Sequence, residues 1–185
     1  MSSYDWTILS SEYLVNEARV KIRADTCQLP NGVVIHPYYV YEYKPWVTIV
    51  AITPHNEFVM INQYRHGLRR TILEFPGGTL DERDQDPLHA AQRELLEETG
   101  YSGEQFIPIG QVSADPASHT NLTHCFLVTG AVPTAAPHLD DTEQIDVVLV
   151  PFEQAIQQAA DGKMMQAMHV SALFFALKFL GRIIE

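Results

Sequence analysis

The sequence predicts an α+β fold, a mixed β-sheet sandwiched between α-helices, with an antiparallel β-sheet extension at the N-terminal end. Two pairs of apolar, strand-like segments flank turn signals before residue 65. A capped helix lies between further strand-like runs, and two helix-patterned segments close the chain.

Residues 19–29 and 33–43 alternate as strands around Pro30-Asn31-Gly32, a hairpin turn signal. Residues 46–53 and 58–63 form a second apolar pair around Pro54-His55-Asn56. Leu73-Glu74-Phe75 reads as a short strand running into Pro76-Gly77-Gly78 and then a polar loop over residues 79–85. Asp86 suits an N-cap, Pro87 the first helical position, and Gly100 the left-handed residue that stops the helix. Leu88, Ala91, Leu95 and Leu96 supply that helix with an apolar side. Strands follow at 107–113, 123–129 and 145–151, then helices at 152–161, before Gly162, and at 165–179. The expected organisation is a β extension over residues 1–45 and a main domain over 46–185, without repeats or low-complexity linkers.

A formal charge of −11 argues against a nucleic-acid-binding surface and against an anionic membrane, so a polyanionic substrate must be received locally by cations. Cys27 and Cys125, far apart and outside any metal-type spacing, suggest reduced thiols and a cytoplasmic setting. Residues 1–20 carry no signal-peptide pattern, and the apolar run 170–180 is interrupted by Lys178 and too short to span a bilayer.

The most informative run is Arg93-Glu94-Leu95-Leu96-Glu97-Glu98-Thr99-Gly100-Tyr101. Glu94, Glu97 and Glu98 stand at i, i+3 and i+4, so a helix places all three carboxylates on one face. Like charges so placed repel by a few tenths of a kcal/mol per pair (~0.2–0.5) unless something neutralises them, and a hard divalent cation is the simplest candidate. A solvated acidic face is the plainer alternative, against which stands the Gly77-Gly78 turn upstream, where a backbone can approach a metal or phosphate closely. Arg93, one turn before Glu97, can pair with it and brace the helix.

A Gly-rich loop leading into such a helix resembles the signature of the Nudix hydrolases, G-x5-E-x7-R-E-U-x-E-E-x-G-U, where U is aliphatic or aromatic. From Arg93 to Tyr101 the match is complete. Upstream, Gln85 stands where the family has its first glutamate and Thr79 where it has glycine; Gly78 sits one residue early, as if the loop held an insertion, with Asp84 or Glu82 as substitutes for the missing carboxylate. Gln63-Tyr64-Arg65, the run Leu73 to Gly78, Asp115-Pro116 and the stretch Asp141 to Val147 resemble segments of the ADP-ribose and ADP-sugar pyrophosphatase branch.

The resemblance implies the Nudix fold and a homodimer joined by the N-terminal sheet; the charge already argues against a nucleic-acid or membrane partner. Tyr38, Tyr39, Tyr41, Tyr43 and Trp46 offer rings for a base, although ordinary strand or interface packing explains alternating tyrosines equally well. It further implies metal binding by Glu94, Glu97 and Glu98 with the Gly77 carbonyl, and substrate contact by Arg65, Glu74 and Asp115. Arg65 then meets the diphosphate, a guanidinium fork suiting paired oxygens, where a surface salt bridge is its plainer role. Glu143 is the candidate general base, with Glu97 as competitor. A diphosphate carries its charge beside the phosphorus that water attacks, which is why the chemistry calls for Mg2+, with Mn2+ as a substitute. The expected reaction is hydrolysis of a nucleoside diphosphate sugar, foremost ADP-ribose to AMP and ribose 5-phosphate. GDP-sugars, dinucleotides such as NADH, and a sensor module without turnover are the alternatives.

Overall fold

The computed structural model describes residues 4–18 and 20–183. Twelve strands and three helices are found among them: β1 Thr7–Asn16, β2 Lys21–Gln28, β3 Val34–Glu42, β4 Trp46–Ile52, β5 Glu57–Arg65, β6 Arg70–Glu74, β7 Gly77–Thr79, α1 Pro87–Thr99, β8 Tyr101–Ser102, β9 Phe106–Val112, β10 Thr123–Thr129, β11 Val132–Pro133, β12 Ile145–Pro151, α2 Phe152–Ala160 and α3 Ala167–Phe179. The chain forms two compact units, one reaching Lys44 and also taking in Ser113–Asn121, the other made of Pro45–Val112 and the chain from Leu122 onward.

In the N-terminal unit β1, β2 and β3 make an antiparallel sheet in that order. The expected hairpin is present with Gly32 at φ 86, although its expected first residue, Arg19, lies outside the described residues. The sequence reading missed β1, whose ten residues are exposed but for one half-buried position and so lack the one-sided apolar alternation that marks a strand. Arg23 holds the buried Asp25 at 2.9 Å and pairs with Glu42 on the neighbouring strand. The segment 113–121 lies against β3, the Tyr41 N–H donating to the Ser118 carbonyl at 2.7 Å and the Thr120 N–H to the Tyr41 carbonyl at 3.1 Å.

The larger unit is the expected mixed sheet between helices. Its strands run β12-β5-β4-β10-β9, with β4 and β10 parallel and the other pairs antiparallel. Alternate residues of the buried strand β4 serve opposite faces, as a strand's two-residue period requires. Val47, Ile49 and Ala51 pack with Ala90, Ala91 and Leu95 of α1, while Val50 and Ile52 join Phe58, Phe152, Ala155, Ala172 and Leu173 on the side of α2 and α3. Leu88 and Leu96, expected to pack, are each 38% exposed, and alanines take the buried positions instead.

One feature of this sheet positions the site. β4 and β5 share only the pairs Ala51 with Val59 and Ile52 with Phe58, then diverge. β6 follows β5 and β7 follows β4, so Phe75-Pro76 bridges the split. The Pro76 carbonyl accepts the Ile49 N–H at 2.9 Å, tying the bridge to β4.

Candidate active site

The helix α1 begins and ends as its sequence dictates. Asp86 accepts the His89 N–H at 2.8 Å, Pro87 opens the helix, and Gly100 closes it at φ 72 with its N–H on the Leu96 carbonyl. Between these caps Glu94 and Glu98 turn toward the glycines of β7, while Glu97 pairs with Arg93. Glu98 is buried, and its carboxylate accepts the Gly77 N–H at 2.9 Å. Glu94 lies against Gly78, where an added Cβ would stand 2.3 Å from its Oε1. Both glycines therefore answer to close approach: a Cβ on Gly77 would stand 2.3 Å from the Val47 carbonyl oxygen.

The charges here are only partly neutralised. Burial pushes the Glu98 carboxyl up to about 8; Glu94 and Glu143 add to the rise, while the Gly77 N–H and Arg65 oppose it. Burial likewise raises Glu94 to about 7, against the pull of Arg93 and with a further push from Glu97 and Glu143. Glu143 thus faces the helix carboxylates electrostatically, from a turn closed by its own N–H on the Asp140 carbonyl at 2.9 Å. That loop is reached along the C-terminal end of α1, where the His138 N–H meets the Glu97 carbonyl at 2.8 Å and Thr134 and Ala135 donate to Gly100.

Arg93 is the helix brace, and Asp84 is its principal partner. The guanidinium grips Asp84 through two bonds of 3.0 and 2.8 Å and reaches Glu94 and Glu97 at 2.9 Å each. The Asp84 side chain has no exposed surface; it also receives the Asp81 N–H at 2.9 Å and lies 3.1 Å from His89. These contacts, Arg93 first, hold its carboxyl well below the usual carboxylate range. Gln85, in the register of the missing glutamate, is exposed. Of the substitutes weighed from the sequence, the structure selects Asp84.

Arg65, at the end of β5, bonds Glu74 at 2.6 Å; its side chain is 39% exposed, whereas that of Glu74 has no exposed surface. Burial raises the Glu74 carboxyl, with Arg65 and then Gln166 opposing. The guanidinium keeps an exposed face while its Nε is anchored. Asp115 belongs to the N-terminal unit, where it closes its own turn by accepting the Ala117 N–H at 3.2 Å and the Ser118 hydroxyl at 2.5 Å. In that unit Tyr41 and Tyr43 stack at 6.5 Å, and both meet His119 edge-on at 5.7 and 5.1 Å.

Among the described residues no three carboxylate, imidazole or thiol groups already form a cation cage. Arg93 holds Glu94 and Glu97, and the Gly77 N–H holds Glu98. The donor set nevertheless fits a hard divalent ion: oxygen ligands only, Glu98 buried and Glu94 largely so, both with their ionisation suppressed and beside a further carboxylate, a charge excess that such an ion relieves.

His169 escaped the sequence reading. It is buried at the start of α3, its Nδ1 accepting the Phe75 N–H at 3.2 Å. Its signal was weak, a lone histidine in an apolar helix, which is more often a core residue than a participant in a site.

Residues 42–168 match the family model described as the NUDIX domain, and residues 6–41 that of the nucleoside diphosphate sugar hydrolase N-terminal domain. The methanol dehydrogenase activator of Bacillus methanolicus is 31% identical over 172 residues, 89% of each chain. The ADP-ribose pyrophosphatase of Bacillus subtilis (strain 168) is 29% identical over 164 residues, 85% of this chain and 84% of that one. A solved structure described as an ADP compounds hydrolase superposes with a TM-score of 0.83 at 25% identity, covering 99% of this chain and 100% of the other.

Proposed function

The chain belongs to the Nudix family of hydrolases acting on diphosphate bonds, and from that premise we propose that it is an ADP-ribose pyrophosphatase requiring Mg2+, releasing AMP and ribose 5-phosphate. The observation that carries this reading is Glu98 on the Gly77 N–H with Glu94 against Gly78, two carboxylates on which Glu143 also acts electrostatically.

Glu94, Glu97 and Glu98 with the Gly77 carbonyl would hold the metal. Bound there, it supplies charge neutralisation and polarises a phosphoryl oxygen. Arg65 receives the diphosphate on its free edge while Glu74 fixes its orientation. Glu143 takes a proton from the attacking water, and Glu97, which is half-buried and tied to Arg93, is its competitor for that role. Arg93 and Asp84 keep α1 and the preceding loop in register, so the carboxylates stay aligned when substrate arrives.

The N-terminal sheet supports a homodimer. Ile8, Leu9, Tyr13 and Leu14 of β1 are 48–56% exposed, an apolar strand that a second copy would cover.

The test is phosphate-coupled hydrolysis of ADP-ribose, GDP-sugars and NADH, each with Mg2+ and with chelator. Turnover led by ADP-ribose and lost in chelator supports the reading; a different leading substrate reassigns the base preference. Binding without turnover under every metal condition overturns it in favour of a sensor.

A further inference from the structure

We infer that His169 is a positioning residue for the metal-binding bridge, reaching it from the C-terminal helix through the backbone of Phe75. The inference rests on the proposed metal site but concerns a residue outside the family signature.

Three different elements hold the bridge and the residue on either side of it, Glu74 to Gly77. Glu74 is bonded by Arg65 of β5 at 2.6 Å, the Phe75 N–H by His169 of α3 at 3.2 Å, and the Gly77 N–H by Glu98 of α1 at 2.9 Å. β6 ends at Glu74 and β7 begins at Gly77, so the intervening Phe75 N–H has passed beyond the ladder with β5. Phe75 is fully buried, and a buried N–H without a partner costs on the order of 1–3 kcal/mol. His169 Nδ1 is that partner. Its ring also lies 6.1 Å from the Phe75 ring, so the side chain and the backbone of one residue are fixed by one imidazole.

Position in the chain explains why the contact reaches the metal groups. Two residues beyond Phe75 are the Gly77 N–H that receives Glu98 and the Gly77 carbonyl proposed as a ligand. Gly77 has no slack toward β4, since a Cβ there would stand 2.3 Å from the Val47 carbonyl oxygen. A shift at Phe75 would therefore pass along the backbone to Gly77 and Glu98 rather than being absorbed. The acceptor must be a neutral imidazole, protonated at Nε2; burial, with Arg65 nearby, favours that form.

His169→Phe keeps the ring and removes the acceptor, whereas His169→Asn places an amide oxygen near the Nδ1 position. Mg2+ binding is measured by calorimetry on folded protein without substrate, alongside kcat and KM for ADP-ribose and the melting temperature. The inference expects His169→Phe to weaken Mg2+ binding and lower kcat by about tenfold each with KM little changed, and His169→Asn to recover most of both. A lowered melting temperature with unchanged Mg2+ affinity and kcat overturns it, leaving His169 a core residue. So does an Asn variant that melts like wild type yet remains as impaired as the Phe variant. Wild-type protein that binds Mg2+ through these residues without hydrolysing any nucleotide sugar would sink the proposed function but not this inference.

Discussion

Replacing Asp84 with asparagine should destabilise the loop before α1 and disturb the carboxylates beyond it. The change keeps shape and one acceptor but removes the charge and one of two bonds to Arg93, at 3.0 and 2.8 Å. Breaking a fully buried pair costs roughly 3–5 kcal/mol. This pair lies in a thinner shell: the neighbouring Arg83 and His89 side chains are 67% and 46% exposed, so water reaches close and screens it. A cost of about 2 kcal/mol follows, or a fall of roughly 4–8 °C in melting temperature for a chain of this size. Differential scanning calorimetry in chelator gives the stability, and Mg2+ titration of activity gives the effect on Glu94 and Glu97, which share Arg93. Gln85→Glu is the companion variant. Arg93 is already satisfied and Gln85 faces solvent, so glutamate at 85 should leave the melting temperature within about 1 °C in the wild-type background. An unchanged Asp84→Asn melting temperature together with a stabilised Gln85→Glu protein would refute the assignment of Asp84 as the brace.

Three further outcomes follow from the same geometry. Burial raises the Glu98 and Glu94 carboxyls to about 8 and 7, above the ordinary 4.5, so the stability linked to them is fully present below about pH 4.5 and is lost as pH rises through 7 and 8; the stabilisation that Mg2+ adds over chelator should grow between about pH 5.5 and 8.5, and a gap that narrows as pH rises contradicts this. Gly77→Ala meets backbone first and Gly78→Ala meets the Glu94 carboxylate first, so the former should cost stability, about 1–3 kcal/mol, and the latter mainly activity; melting curves and kcat showing the reverse order would refute the distinction. Glu143→Gln should lower kcat by about 100-fold or more with KM nearly unchanged, and an effect confined to KM would make it a binding group instead.

Local rules carried much of the fold. The cap, first-turn proline and terminal glycine of α1 act within a few residues of themselves, and the period of three to four that gathers Glu94, Glu97 and Glu98 is a property of any helix. The alternating strands of the central sheet were legible because burial imposes the two-residue period. β1 was not, since an exposed strand has no such constraint, and the outward-facing Leu88 and Leu96 show that an apolar stripe on a helix need not be its buried one.

Taken alone, the sequence determined which residues make α1, which face bears its carboxylates, and that a tight glycine turn precedes it. Only the tertiary structure decided where those carboxylates point. The divergence of β4 from β5 leaves room for Gly77 and Gly78 to meet Glu98 and Glu94 of α1, the return of the chain along α1 brings the Glu143 loop within electrostatic reach of them, and α3 delivers His169 to a backbone group ninety-four residues away in sequence. The choice of Asp84 over Gln85 was likewise tertiary: a loop has no period to count, so which carboxylate meets Arg93 depends on the path of the backbone through space.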